Sequence, residues 1–326
     1  MEYAKFGLTD MQVSKITLGT WVMGGGVWWG SDHDDNRYES TIQCAIDGGI
    51  NFIDTAIGYG DGHSEELLGK AIKGRKQKVY IASKANADML TPDKAQATVE
   101  ASLKRMGLDY VDVFFLHWVD PGIPVGRNME ALETLRRKGL IRYIGVSNLT
   151  LKHMELASQA GKIDVFQPPY SLLWRNIEPE LLPYCIKNSI GVMTYSSIAM
   201  GLLSGKYTPD WKFEDGDIRK DMVALFQKDI YEKCLAAIEK LKPLADKYNT
   251  TLSDIAINWV FSQQGIATAI VGARTPKQLE ENLKAVDFVI DKTDLDSMAQ
   301  ITEEVKKEVA DWDTMYFKKA AAYEIK

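Results

Sequence analysis

Eight short apolar runs, each followed by a longer stretch of helical periodicity, recur along this 326-residue chain. They lie near Ile16–Gly19, Asn51–Thr55, Val79–Lys84, Val111–His117, Arg142–Ser147, Val165–Gln167, Val192–Tyr195 and Ala267–Val271. β-Branched and aromatic residues dominate them, as in buried strands. Strands that alternate with helices, with no antiparallel hairpin inside the series, predict a parallel sheet. Closure is the simplest solution for eight such units, so the expected fold class is α/β, a (β/α)8 TIM barrel. A chain of this length could hold two domains, but barrels of this size count as one. Residues 1–326 are therefore expected to form a single barrel domain.

The helical stretches are read over Glu39–Gly48, Ser64–Lys73, Pro92–Met106, Arg127–Lys138, Leu151–Ala160, Pro179–Asn188 and Pro276–Ala285. Ser64 with Glu65 and Glu66 reads as a helix cap with acids on the positive end of the dipole. Thr91-Pro92 reads as a cap followed by proline at the first helical position. The segment up to about Val13 is expected to be a small N-terminal hairpin covering the barrel bottom. The long loop lies between strands seven and eight. Its Ser204–Gly216 part is polar and Gly-rich, and helices near Lys228–Lys247 and Leu252–Gln263 follow. A connection of that length is often a lid or binding loop. The tail after Asp291 reads as one more helix and an aromatic-bearing end, Trp312, Tyr316 and Phe317.

Composition narrows the function classes. Net charge is −6 with both signs interspersed, and no basic run suggests a nucleic-acid partner. No stretch of roughly 18 apolar residues exists to span a membrane. Cys44, Cys185 and Cys234 are far apart, without the spacing of a metal site, so neither a structural metal nor a disulfide framework is expected. The first residues lack signal-peptide character, and a cytoplasmic enzyme is the expectation.

Barrel enzymes carry their active sites at the C-terminal ends of the strands. There the chain places Asp54, with Tyr59 in the loop behind it, then Lys84, His117, Ser147-Asn148, Gln167 and Tyr195. Each has a bland reading: a turn cap, a surface aromatic, a solvated lysine, a core histidine. Three ionisable types on one rim suit carbonyl reduction, where a proton must reach oxygen as hydride reaches carbon. A phenol with a pKa of about 10 is a weak donor. An ammonium beside it is expected to lower that value, with Lys84 in this role and Asp54 as its ion-pair partner. His117 would orient the substrate oxygen or share the proton relay.

Phe52–Gly60 (Phe-Ile-Asp-Thr-Ala-Ile-Gly-Tyr-Gly), with Ser64-Glu-Glu-Leu-Leu-Gly, resembles the first aldo-keto reductase signature. Asp54, Tyr59, Lys84 and His117 match that family's catalytic tetrad in order and spacing, and Ile144-Gly-Val-Ser-Asn matches its strand-five motif. The resemblance covers almost the whole chain and is closest to the bacterial branch with the inositol-operon and general-stress reductases. It implies an NADP-dependent oxidoreductase reducing small aldehydes, ketones, sugars or related polyol carbonyls, reversible in principle. NADPH is the expected cofactor and NADH the alternative.

No Gly-x-Gly-x-x-Gly follows the first strand, so a Rossmann site is not supported. The resemblance instead puts Gly19, Thr20 and Trp21 at the nicotinamide ribose. It gives Ser147, Asn148 and Gln167 to the nicotinamide amide and Tyr195 to the ring face. Ser196, Ser197, Ile198, Ala199, Gly201 and Leu202 form the pyrophosphate clasp, with Lys206 and Arg219 adding charge. Gly272 and Ala273 stand where much of the family has a Lys-Ser pair for the 2′-phosphate. Arg274 and Gln278 could substitute there, with Glu281 and Asn282 at the adenine. The substrate pocket is expected to involve Trp21, Trp28, Trp29, Tyr59, His117 and Trp118, with Trp174 a further candidate.

Other classes fit less well. A Schiff-base aldolase needs a neutral lysine, whereas Asp54 keeps Lys84 charged. A glycosidase needs two rim carboxylates and only one is evident. Potassium-channel β subunits resemble the same family and keep the tetrad. Here the chain starts almost directly at the barrel, which argues against that role.

Overall fold

The computed structural model describes residues 1–25, 34–213, 217, 219–316 and 318. An antiparallel hairpin, β1 (Tyr3–Lys5) and β2 (Gln12–Ser14), precedes the barrel. The barrel strands are β3 (Ile16–Gly19), β4 (Phe52–Asp54), β5 (Tyr80–Ala85), β6 (Val111–Leu116), β7 (Ile141–Ser147), β8 (Val165–Gln167), β9 (Gly191–Thr194) and β10 (Ile266–Gly272). Each pairs in parallel with its sequence neighbour, and β10 closes on β3 through Ile270 opposite Thr17 and Gly272 opposite Gly19. The expected closed parallel barrel with its hairpin is what the chain forms.

Strand parity builds the site. Side chains alternate between the two faces of a strand. Phe52, Ala82, Val113, Phe115, Val165 and Met193 fill the barrel interior, while Ile53, Phe114, Ile144, Phe166 and Val192 pack outward on the helices. Two residues beyond an inward position is again inward. Asp54 follows Phe52, Lys84 follows Ala82, His117 follows Phe115, Gln167 follows Val165 and Tyr195 follows Met193. The hairpin plugs the opposite end with Phe6, Met11 and Val13, and the Phe6 ring meets Phe52 edge-on at 5.6 Å.

The helices are α1 (Asp35–Asp47), α2 (His63–Ala71), α3 (Ala95–Met106), α4 (Val125–Arg137), α5 (Leu151–Ala160), α6 (Leu181–Lys187), α7 (Arg219–Met222), α8 (Lys228–Lys247), α9 (Leu252–Ser262), α10 (Pro276–Leu283), α11 (Lys292–Ile301) and α12 (Glu303–Glu308). Three local expectations are corrected. Gly62, with φ +93°, caps α2 instead of Ser64, whose hydroxyl instead donates to Thr20 Oγ1 at 2.7 Å. Thr91-Pro92 forms a separate turn and α3 begins at Ala95. The tail helix is two helices, broken at Thr302 (ψ 5°). Among the described residues no helix is long and apolar enough to cross a membrane.

Gly145 shows how tightly the interior is filled. A Cβ there would lie 2.4 Å from the Phe115 ring. Gly145→Ala is therefore expected to destabilise the fold by about 1–3 kcal/mol, the usual range for overpacking. Urea unfolding of both proteins measures it, and an unchanged midpoint would contradict the packing.

Candidate active site

Lys84 is fully buried, and its Nζ donates to Asp54 Oδ2 at 2.6 Å, Thr55 O at 2.8 Å and Tyr59 OH at 3.1 Å. An ammonium has three hydrogens. All three are committed, and one points at the Tyr59 oxygen. That oxygen accepts from Lys84, which turns the phenol's own hydrogen elsewhere. Asp54 is held on its other oxygen by Gln167 Nε2 at 2.8 Å. Burial pushes Asp54 up and Lys84 down from their ordinary values, and their ion pair opposes both shifts.

The Tyr59 ring stacks on Trp21 at 6.1 Å and meets His117 edge-on at the same centroid distance. Burial, with the Asp54 charge behind it, holds Tyr59 well above the ordinary phenol value. The expectation of a lowered value is thus corrected. Desolvation decides the direction, and the Asp54 charge adds to it. A phenol kept protonated is the form that can give a proton away. Burial, then repulsion from Lys84, holds His117 far below 6.5, so its imidazole is neutral.

The nicotinamide-side candidates form one network. Ser147 Oγ donates to Gln167 O at 2.7 Å. Asn148 Nδ2 donates to His117 O at 3.1 Å and Ser147 Oγ at 3.0 Å, and its Oδ1 accepts from Tyr195 OH at 2.7 Å. Asn148 therefore ties His117 to Tyr195. Gln167, with its nitrogen on Asp54, has Oε1 as the acceptor to offer an amide. Thr20 bonds Asp54 O through both its N–H and its hydroxyl.

The clasp candidates lie on strained backbone. Ser196, Ala199, Met200 and Gly201 have φ of 57°, 50°, 56° and 92°. Non-glycine residues seldom adopt such values, and they gather where a backbone is shaped for a task. Ser197 Oγ anchors the run to Ile270 O at 3.0 Å, Leu202 is buried below it and Ile198 is half-buried. Arg219 bonds Met200 O at 3.2 Å, Tyr207 OH at 2.6 Å and both carboxylate oxygens of Asp217. Lys206 lies over the Tyr207 and Trp211 rings. Burial, then the charges of Arg219 and Arg274, depress it below the ordinary lysine value. Three cations that repel one another are suited to a phosphate-bearing ligand.

At the barrel's closing strand, Gly272 is exposed and Ala273 buried. Thr275 caps α10, and Gln278 Oε1 accepts from the Arg274 N–H at 2.9 Å. Asn282 Nδ2 reaches Gly272 O at 3.3 Å, and Glu281 is exposed. Trp118 lies beside His117, with ring centroids 6.0 Å apart. Trp28 and Trp29 lie outside the described residues. Trp174 is 1% exposed. It packs in the core and lines a cavity of about 190 Å³ under the tail, together with Asn148 and Trp312.

One residue escaped sequence reasoning. Tyr316, from the tail, meets Trp118 edge-on at 6.0 Å. Burial raises its phenol far above the ordinary value, and the nearby Tyr59 adds to this. Asn176 Nδ2 pins this tail through Val309 O at 2.8 Å and Trp312 O at 3.1 Å, and Ala224 N bonds Met315 O at 2.8 Å. The aromatic tail end was the visible signal, but nothing in the sequence says which loop it crosses.

His117 supplies a pH test. Unfolded, it takes a proton near its ordinary value of 6.5, whereas in the fold it stays neutral. Below that pH the unfolded state binds the extra proton, so stability falls as pH falls. The slope from one such group is at most about 1.4 kcal/mol per pH unit. Urea unfolding at several pH values below 6.5 should show a shallower acid loss in His117→Gln than in the wild type. Parallel curves would mean that His117 is protonated in the fold.

Residues 15–303 match the aldo/keto reductase family. The chain is 37% identical over 314 residues to aldo-keto reductase YhdN of Bacillus subtilis, covering 93% of this chain and 94% of that protein. It is 33% identical to the NADH-specific methylglyoxal reductase of Escherichia coli, covering 94% and 100%. Among solved structures it resembles the glycerol dehydrogenase AKR11B4 of Gluconobacter oxydans, with TM-score 0.84, 32% identity, and 93% and 95% coverage. It also resembles an aldo/keto reductase of Klebsiella pneumoniae in complex with NADP and acetate, with TM-score 0.73, 29% identity, and 92% and 95% coverage.

Proposed function

Because the chain belongs to the aldo/keto reductase family, and so is an NAD(P)H-dependent oxidoreductase of carbonyl compounds, we propose that Tyr59 is its proton donor. The observation that carries this is the three-fold donation of Lys84, whose third hydrogen is on the Tyr59 oxygen. A nicotinamide held at this rim would supply the hydride for the carbonyl carbon. His117, neutral, donates a hydrogen bond to the carbonyl oxygen and fixes its position. Tyr59 releases its proton to that oxygen as negative charge builds there. Lys84, kept charged by Asp54, then holds the phenolate oxygen. In the reverse direction Tyr59 is the base, which its raised pKa disfavours except at alkaline pH.

Gln167, Ser147 and Asn148 orient the carboxamide, and Tyr195, fixed by Asn148, offers its ring as a floor. Lys206, Arg219 and the strained Ser196–Gly201 run hold the pyrophosphate, and Arg274 takes the 2′-phosphate in place of a lysine. NADPH is the preferred cofactor on this reading, and NADH is also used. The substrate is a small polar carbonyl such as an oxo- or hydroxyaldehyde. It is bounded by Trp21, Trp118 and Tyr316, a wall suited to short, partly apolar molecules. Relatives named for methylglyoxal and glycerol support that size class. Three unpaired thiols suit a reducing, cytoplasmic setting.

Tyr59→Phe should lower kcat for a small aldehyde by about a hundred-fold or more. NADPH binding, followed by fluorescence titration, should be unchanged. Full turnover in this variant would remove the proton-donor role. Arg274→Ala should weaken NADPH binding by about ten- to a hundred-fold, as loss of a charged hydrogen bond does, and leave NADH binding alone. Equal weakening of both would place the 2′-phosphate elsewhere.

A further inference from the structure

Behind the site lies a second buried carboxylate that the reaction above does not use. Glu65, in the first turn of α2, is fully buried. Its Oε1 accepts from Ser83 Oγ at 2.6 Å and its Oε2 from Arg105 Nε at 2.7 Å. Ser83 immediately precedes Lys84 and faces the helices, as strand parity requires. Arg105, near the end of α3, also lies against Gly62, where a Cβ would come within 2.6 Å of its Cδ and Nε. Gly62 ends the Tyr59 loop. On the loop's other side, a Cβ on Gly60 would meet Gly24 O at 2.1 Å. The loop is therefore clamped between Gly24 and Arg105, and the Arg105–Glu65–Ser83 string ties that clamp to the strand carrying Lys84.

We propose that Glu65, held by Ser83 and Arg105, is a positioning residue of the reaction that fixes Tyr59 against Lys84 and supplies a second buried negative charge keeping Lys84 an ammonium. The inference rests on the reading of Tyr59 and Lys84 given above. Burial without compensation would neutralise a lysine. Asp54 from β4 opposes this at contact distance, and Glu65 opposes it from the far side of β5. Among the described residues, His117, at the end of β6, and Tyr316, in the tail, also bear on the Lys84–Tyr59 pair. Neither carries negative charge near neutrality. Arg105 neutralises part of Glu65, so the effect at Lys84 depends on both partners.

The test uses two substitutions with opposite electrostatic signs, made in the full chain. Glu65→Gln removes the anion, and Arg105→Met leaves it uncompensated. Both should lower kcat by about ten-fold or more through loosening of the Tyr59 loop, with KM for the aldehyde and NADPH affinity near wild type. The alkaline limb of kcat should move down by about half a unit to one unit in Glu65→Gln and up in Arg105→Met. The Lys84 ammonium, followed by lysine-detected NMR, should shift in the same two directions. Wild-type kcat and an unmoved Lys84 titration in Glu65→Gln would overturn the proposal, and so would shifts of the same sign in both variants. If Glu65→Gln does not fold, Ser83→Ala cuts the string while keeping the ion pair, and it must lower kcat without moving the limb. A Tyr59→Phe protein with full turnover would overturn the proton-donor reading alone, because the Lys84 titration judges this inference without turnover.

Discussion

A lysine inside a closed barrel is the constraint around which this molecule is arranged. Taking an ammonium out of water costs several kcal/mol even after relaxation, and it is tolerated only when every hydrogen finds a partner. Lys84 has three acceptors on three separate groups: the Asp54 carboxylate, the Thr55 carbonyl and the Tyr59 hydroxyl. The Asp54–Lys84 contact therefore locks β4 to β5 at their upper ends. The Tyr59 contact draws the following loop down onto both. What solves a solvation problem also sets the geometry of the proposed proton transfer, because the saturated ammonium turns the phenol hydrogen away from Lys84.

The rest of the rim is built to prevent that arrangement from relaxing. Gln167 fixes the second Asp54 oxygen, Asn148 links His117 to Tyr195, and Thr20 binds the Asp54 carbonyl. Each of these side chains comes from a different strand end. A closed parallel barrel brings such ends together without any loop needing to be long. The hairpin at the opposite end completes the packing of the interior, so the inward rows have an apolar floor below and a polar rim above.

Much of this was legible in the sequence. Strand position could be read because apolar runs ended in the polar residues Asp54, Lys84, His117 and Gln167, while the inward facing of these residues came only from the closed barrel. Element ends were harder. Ser64 looked like a cap, but Gly62 could adopt a left-handed φ and begin α2 first, freeing the serine for Thr20. Trp174 looked like pocket wall, yet long-range packing buries it. The direction of the Tyr59 pKa was misjudged for a physical reason. Sequence names the neighbouring ammonium, whereas the direction is decided by burial, with the Asp54 charge adding to it. Tyr316 could not be placed at all, since its contact with Trp118 spans most of the chain.

The two ends of the site are made from different kinds of structure, and this separates chemistry from selectivity. Asp54, Lys84 and Gln167 sit on strand ends held by buried hydrogen bonds, with Tyr59 in the loop drawn down onto them, and a substitution among them disturbs several partners at once. The residues proposed to bound the substrate and the phosphates sit on connections: the Trp21 turn, the Ser196–Gly201 run, the Arg219 loop and the tail carrying Tyr316. Arg219 is already engaged by Asp217 and Tyr207, and the tail by Asn176, so these elements are pre-placed by half-buried bonds. Trp118 and Tyr316 make none of the Lys84 hydrogen bonds, whereas Trp21 stacks on the Tyr59 ring and so bears on that lattice directly. A barrel of this design can shift its substrate range through its loops while the buried ammonium keeps the reaction the same.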